Sequence, residues 1–214
     1  MKRLHLMRLV GTLAVATALI GLPTVAFAGI ASSAHDFSGS GWTTEICKAC
    51  HTPHNSDTDV TDAPLWDHFV STQTYIPYPA SATLDATVGL PTGISLLCLS
   101  CHDGVTALDS FGGVTGTTTM STTSAANFGL DLSNDHPISF TYNDALSIAD
   151  IGLHPPTTTA SGLVANIDDD LLFGVGNDQL ECASCHDVHN DAGNTSLLRI
   201  DNAGSDLCLT CHNK

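Results

Sequence analysis

The stretch CASCHDVHN, residues 182–190, holds two cysteines three positions apart, then a histidine, then a second histidine three residues later. Cysteines at this spacing lie on one face of a helical turn, so each can form a thioether with one vinyl group of a haem. The next residue, His186, then lies under the iron as its proximal ligand, in the pattern of c-type haem attachment. His189 is too close in sequence to reach the opposite face of the same haem. We therefore expect it to bind the iron of a neighbouring haem.

The pentapeptide Cys-x-x-Cys-His occurs four times and accounts for all eight cysteines of the 214-residue chain. Disulfides, zinc sites and iron–sulfur clusters also use cysteine pairs, but none of them requires a histidine after every pair. The sequence therefore predicts four covalently attached haem c groups. The attachment cysteines are Cys47, Cys50, Cys98, Cys101, Cys182, Cys185, Cys208 and Cys211, and the proximal histidines are His51, His102, His186 and His212.

The four motifs alternate between two forms. The first, CKACHTPHN, and the third, CASCHDVHN, share the pattern CxxCHxxHN, whereas the second and fourth read LCLSCH and LCLTCH. This alternation predicts two haem-pair units, residues 29–111 and 128–214, within a single tetrahaem domain of residues 29–214. A loop rich in Thr, Ser and Gly, residues 112–127, would join the two units.

Regular hydrophobic patterning between the motifs is weak, so the expected fold is mostly irregular and organised around four haems. Short α-helices are expected at each motif and around residues 146–151. The segments GVTAL (104–108) and HPISFTY (136–142) are candidates for a few short strands. A chain with so much loop buries little apolar surface by itself, and the haems would supply what is missing.

Residues 1–28 have the pattern of a cleaved signal peptide. A basic start precedes an apolar run of about 13 residues and the small-x-small sequence Ala26-Phe27-Ala28. The run is too short for a transmembrane helix, which needs about 20 residues. We therefore expect an exported protein without a transmembrane segment, located at the cell surface or outside the cell, or alternatively in the periplasm.

The charge balance is strongly acidic. The chain has 6 Lys and Arg against 22 Asp and Glu, and loss of residues 1–28 would leave 3 basic residues, for a formal charge of −19. Nucleic acid and anionic membrane surfaces are therefore not expected partners. A multihaem reductase of nitrite, hydroxylamine or sulfite would need an open iron and positive charge to attract its anion. The sequence therefore favours electron transfer without catalysis.

Histidine is the expected second axial ligand, because Met120 is the only methionine after residue 28. His54 and His189 each follow a proximal histidine by three residues. Pro137 stiffens the backbone beside His136, which suits that residue as a ligand. His35, His68 and His154 are further candidates, although His35 could simply be solvated, and the other two could pack near Trp66 or cap a loop.

The segments EICKACHTPHN, PLW, LCLSCHDG, NDHPISF, CASCHDVHN, LLR and LCLTCHNK resemble the doubled-CxxCH multihaem cytochromes c. More closely, the chain resembles the OmcE-type tetrahaem cytochromes that form extracellular filaments. The resemblance implies stacked haem pairs with two histidine ligands each and electron transfer as the function. It implies that His35, in the sequence HDFS, is a distal ligand.

The same resemblance implies a homopolymer in which a histidine of one subunit completes a haem of the next. Redox proteins or extracellular acceptors would be the other partners. Two further functions remain open on the sequence alone: a soluble periplasmic tetrahaem carrier and a multihaem reductase.

Overall fold

The computed structural model describes residues 29–60 and 62–213. The expected signal peptide, residues 1–28, lies outside the described residues. Most of the described chain consists of turns and irregular segments, with short helices and one small sheet between them. The prediction of a mostly irregular chain with short helices and few strands is confirmed.

The regular elements are short. Within the described residues, the five α-helices are α1 (Gly93–His102), α2 (Asp144–Ala149), α3 (Ile167–Leu171), α4 (Cys182–Cys185) and α5 (Asp206–Cys211). Short 3-10 turns occupy Phe37–Gly39, Thr195–Leu197 and Ala203–Ser205. Strands β1 (Phe140–Thr141) and β2 (Gln179–Leu180) pair antiparallel, with Phe140 opposite Leu180. None of the helices within the described ranges is long and apolar enough to cross a membrane.

The second, third and fourth motifs form helices α1, α4 and α5, but the expected helix at the first motif is wrong. There the amides of Cys50 and His51 both donate to the carbonyl of Cys47, which makes a single turn. Before this turn, the amide of Glu45 donates to the Thr43 hydroxyl instead of extending a helix. The third motif also begins its helix at its first cysteine, but there the amide of Ser184 donates to the carbonyl of Glu181. The first motif, as the structure describes it, has no equivalent of this bond, so its single turn does not become a helix.

Of the two predicted strand segments, one contains a strand and the other does not. Strand β1 lies within HPISFTY, whereas GVTAL forms only an isolated bridge between Ala107 and Thr119. The amides of Val105 and Thr106 donate to the carboxylate of Asp103 at 2.8 and 2.7 Å. These two amides therefore turn towards Asp103 and are not available to a partner strand.

Nine of the buried apolar residues form two small clusters. The larger comprises Phe140, Tyr142, Ile167, Leu171, Leu172 and Leu180, and the smaller comprises Tyr75, Leu99 and Leu132. Both clusters reach a motif. Leu99 lies inside the second motif, and Cys211 of the fourth packs against the larger cluster. The Tyr142 hydroxyl donates to the carbonyls of His154 and Cys211, which ties the fourth motif to this cluster.

Candidate haem sites

Three proximal histidines are oriented by hydrogen bonds from their rings to backbone carbonyl oxygens. Nδ1 lies 2.9 Å from the Pro64 oxygen in His51, 2.7 Å from the Ala126 oxygen in His102 and 2.9 Å from the Ser196 oxygen in His186. A carbonyl oxygen can only accept, so Nδ1 carries the proton and Nε2 keeps its lone pair. This arrangement fixes the tautomer and orientation that a metal-binding imidazole needs.

Three of the four proximal histidines face a second imidazole from another part of the chain. The ring centres are 5.9 Å apart for His35 and His102, 6.2 Å for His51 and His189, and 6.3 Å for His136 and His212. Two imidazole nitrogens that bind one metal ion from opposite sides, each at about 2 Å, place their ring centres roughly 6 Å apart. The spacing of all three pairs therefore fits two axial ligands on one iron.

The side chains in these pairs fit a haem better than a bare ion. Among the described residues, no group of three or more His, Cys, Asp or Glu side chains is arranged to hold a metal ion by itself. Each pair would supply two of an iron's ligands, and a porphyrin would supply the others. The cysteines that would hold the porphyrin lie one and four residues before each proximal histidine.

His35 has the chemical state that an iron ligand requires. Its Nδ1 is buried and has no hydrogen-bond partner within the described part of the chain. Burial lowers the pKa of His35, and the neighbouring His102 and His186 lower it further. The ring therefore stays neutral and keeps a lone pair that a metal can accept.

His186 differs from the other proximal histidines. Within residues 29–60 and 62–213, its ring contacts no second imidazole.

The ring of His54, which the sequence predicts as a ligand, is exposed and has no ring contact in this part of the chain. His154 contributes its backbone carbonyl, which accepts from Tyr142. The ligand roles of His54 and His154 stay predictions.

Both ring nitrogens of His68 lie within hydrogen-bonding distance of backbone carbonyl oxygens, of which a neutral ring can donate to one. Nδ1 lies 2.9 Å from the carbonyl oxygen of Phe69 and Nε2 lies 3.1 Å from that of Ala107, and the residue is 3% exposed. Its ring also packs against Trp66, with 6.4 Å between the ring centres. The packing role that the sequence left open is the one the structure displays, and an iron-binding role would require Nε2 to leave Ala107.

Cysteines of motifs that are consecutive in sequence are electrostatic neighbours. Cys50 of the first motif is a neighbour of Cys101 of the second, and Cys98 of the second is a neighbour of Cys182 of the third. Cys185 of the third motif has Cys208 of the fourth as an electrostatic neighbour. The four sites therefore follow one another in chain order.

Residues 175–214 match the family model of the doubled CXXCH motif. The match supports a multihaem c-type cytochrome. The matched segment contains the third and fourth motifs, CASCH and CLTCH, and the motif indicates covalently bound haem c. No curated protein matches the chain.

Proposed function

We propose that the protein is an exported tetrahaem c-type cytochrome that carries electrons along four closely spaced haems and assembles into an extracellular filament. Multihaem cytochromes c are typically electron carriers, although some are enzymes. The observation that carries the proposal is the set of three imidazole pairs, with ring centres 5.9 to 6.3 Å apart. Each pair joins a proximal histidine to a histidine outside its own motif.

Haem bound at these sites supplies one-electron chemistry between ferrous and ferric iron. Two cysteines would hold each haem, and the three imidazole pairs would ligate three of the four irons from within the chain. Iron that is closed on both sides has no position for a substrate, so the histidine pairs favour electron transfer over catalysis. Two histidine ligands favour a lower potential than a Met/His pair, because methionine raises the potential.

The order of the attachment sites supports a route along the chain. We number the haems 1 to 4 after the motifs that would bind them. The thiol contacts support the neighbours haem 1 with haem 2, haem 2 with haem 3, and haem 3 with haem 4. Electrons would then travel through the haems in sequence order, with haem 1 and haem 4 at the two ends.

The filament part of the proposal concerns His54 and His186. His186 has no second imidazole in contact within the described residues, and His54 has an exposed ring. In the proposed filament, His54 of one subunit supplies the second ligand of haem 3 in the next subunit. A head-to-tail contact of this kind does not close on itself and so builds a filament. The resemblance to filament-forming cytochromes implies a ligand supplied in this way.

Replacement of His54 by alanine tests the filament. We expect His54→Ala to retain four attached haems by mass spectrometry, but to remain monomeric and to show one high-spin ferric haem by electron paramagnetic resonance. The unaltered protein should form filaments in electron micrographs with four low-spin haems. His154→Ala is measured in parallel, because His154 is also a candidate ligand: filaments with four low-spin haems would leave the role to His54, whereas a monomer with one high-spin haem would assign it to His154.

Each other outcome contradicts one part of the proposal. Filaments of His54→Ala with four low-spin haems would exclude His54 as the ligand between subunits. Unaltered protein that stays monomeric with four low-spin haems would support the soluble carrier. A substantial high-spin signal in the unaltered filaments would support a reductase.

A further inference from the structure

Glu181 lies at the contact between the two predicted haem-pair units. It directly precedes Cys182 of the third motif, and its side chain is buried, with the residue 3% exposed. Helix α4, which begins at Cys182, packs against helix α1, which carries the second motif. A carboxylate is seldom buried this deeply unless it has hydrogen-bond partners.

The partners of Glu181 come from both sides of this contact. Oε2 accepts from the amide of Ser95 at 3.2 Å, from the hydroxyl of Ser95, and from the hydroxyl of Ser139 at 3.0 Å. Ser95 belongs to α1, and its hydroxyl oxygen also accepts from the amide of Cys182 at 2.9 Å. Glu181 and Ser95 therefore join the start of the third motif directly to the helix of the second.

The main chain is shaped to admit the carboxylate. A Cβ atom at Gly93, the first residue of α1, would lie 2.8 Å from Oε1 of Glu181. Gly93 also has a φ of +53°, which favours glycine. Burial raises the pKa of the Glu181 carboxyl, and the hydrogen bonds from Ser95 and Ser139 offset only part of this rise. Both the space and the donors suit the ionised carboxylate, which can only accept.

The attachment thiols of the two motifs meet beside this carboxylate. Cys182 directly follows Glu181, and both residues are electrostatic neighbours of Cys98. In the proposed function these cysteines hold haem 2 and haem 3. An electron that passes from one unit to the other must cross at this place, because haem 2 is the last of the first unit.

We propose that Glu181 is a positioning residue that fixes haem 2 against haem 3 and places a buried negative charge at the crossing between the two units. The inference rests on the proposed function, namely four haems in chain order. A buried anion stabilises the ferric state, which carries one more positive charge than the ferrous state, and so lowers the potentials of the two nearest haems. The transfer moves one electron between the irons and needs no proton or bond change.

Three variants separate the effect of Glu181 on haem position from the effect of its charge on the haem potentials. Glu181→Gln keeps the shape of the side chain and removes its charge, whereas Glu181→Ala removes both. Glu45→Gln is the matched control, because Glu45 is the only other glutamate and lies exposed two residues before Cys47. The circular dichroism couplet of the haem Soret band reports haem–haem geometry, and a spectroelectrochemical titration reports the potentials.

We expect Glu181→Gln to keep the couplet and to raise the potentials of two of the four haems. Glu181→Ala should raise the same potentials and also change the couplet. Glu45→Gln should leave both the couplet and those two potentials as they are in the unaltered protein. If Glu181→Ala does not mature, Ser95→Ala tests the position separately, because it removes the link between α1 and Cys182 and should change the couplet.

One result would exclude the role of Glu181 alone, and another would exclude the proposed function as well. If Glu181→Gln and Ser95→Ala both carry four haems by mass and match the unaltered protein in couplet and potentials, the role of Glu181 is excluded while the proposed function stands. If the unaltered protein carries fewer than four haems or shows no couplet, the proposed function fails, and the inference fails with it.

Discussion

At the scale of single residues, the surroundings of His189 suit an iron ligand. Its ring lies almost parallel to that of His51, with 6.2 Å between the ring centres and 16° between the planes. Nδ1 lies 3.6 Å from Oδ1 of Asp187, on the same short loop. A carboxylate beside one ring nitrogen orients an imidazole and leaves the other nitrogen to bind a metal.

We therefore predict that His189→Ala changes haem 1 and no other. Cys47 and Cys50 should still hold this haem, so mass spectrometry should find four haems. The iron would lose one axial ligand, and electron paramagnetic resonance should show one of the four ferric haems converted from low-spin to high-spin. Four low-spin haems in His189→Ala would exclude this residue as a ligand.

His68→Ala is the control for this experiment. His68 is buried, and both ring nitrogens lie within hydrogen-bonding distance of carbonyl oxygens. Its removal should leave four low-spin haems but lower the free energy of unfolding by about 1–3 kcal/mol, because a buried carbonyl group loses its donor. Spin state and stability thus separate the two histidines.

The sequence predicts which histidines could bind iron better than it predicts which ring each of them faces. His54 and His189 occupy the same place in two copies of CxxCHxxHN, yet only His189 faces another ring in the described structure. The motif places the second imidazole near a neighbouring haem, but which haem depends on contacts between segments far apart in sequence. Likewise, nothing in the local sequence of His68 indicates that Ala107 occupies its Nε2.

At the scale of secondary-structure elements, Asp103 organises the end of helix α1. The residue follows His102 and is 1% exposed. Its carboxylate accepts from the amides of Val105 and Thr106 and from the hydroxyls of Thr106, Ser71 and Tyr75. Burial by itself raises the pKa of Asp103, but the bonds from Thr106, Val105 and Ser71 outweigh it and hold the pKa below its usual value.

This arrangement predicts that Asp103→Asn lowers the free energy of unfolding by about 1–3 kcal/mol at neutral pH, because five donors lose a charged acceptor. A depressed folded-state pKa gives stability that is present above the unfolded-state pKa of about 3.9 and is lost as the pH falls through the folded-state value. The difference between Asp103→Asn and the unaltered protein should therefore narrow below about pH 4.

Denaturant titrations at several pH values measure this difference. Asp85→Asn is the matched control, since Asp85 is exposed and has no hydrogen bond or ion pair in the described structure. It should match the unaltered protein throughout. A difference for Asp103→Asn that stays constant down to pH 3 would contradict the assigned role of the carboxylate.

Local sequence patterns predict some of the helices and strands correctly and fail for others. Helix α1 has five residues before Cys98, so its motif continues a helix that is already formed. The first motif has neither such an extension nor the capping box that Glu181 and Ser184 give to α4, and it forms one turn, although its cysteines have the same spacing. The residues of GVTAL suit a strand, but the Asp103 carboxylate takes two of its amides. Competition for backbone hydrogen bonds, which composition does not reveal, decides both cases.

At the scale of the whole molecule, the described chain has a small core for its length. The two apolar clusters contain nine buried residues between them, and each touches a haem motif. Each buried large apolar side chain stabilises the fold by about 1.5–3 kcal/mol, so clusters of this size leave much of the chain to be organised by other contacts. Four proposed haems, held from four motifs in succession, would supply an apolar centre around which irregular segments can pack.

Net charge makes a prediction about assembly of the proposed filament. After removal of residues 1–28, each subunit has 3 basic residues against 22 acidic ones, before the haem propionates are counted. Subunits of one sign repel one another over about 30 Å at 0.01 M salt, but only over about 10 Å at 0.1 M. A bond from a histidine to iron is hardly screened, so salt should weaken the repulsion more than the attraction. Filament formation should therefore increase between these concentrations.

Light scattering and electron micrographs of purified subunits across a sodium chloride series would measure this increase. Sucrose at matched osmolality is the control, because it favours surface burial by exclusion without screening charge. Assembly that rises with salt and not with sucrose would identify repulsion as the force that opposes growth. Assembly that weakens with salt would mean that ion pairs hold the subunits together. Only Lys48, Arg199 and Lys214 could supply the positive partners of such pairs, so neutralising these three residues would then have to abolish the filament.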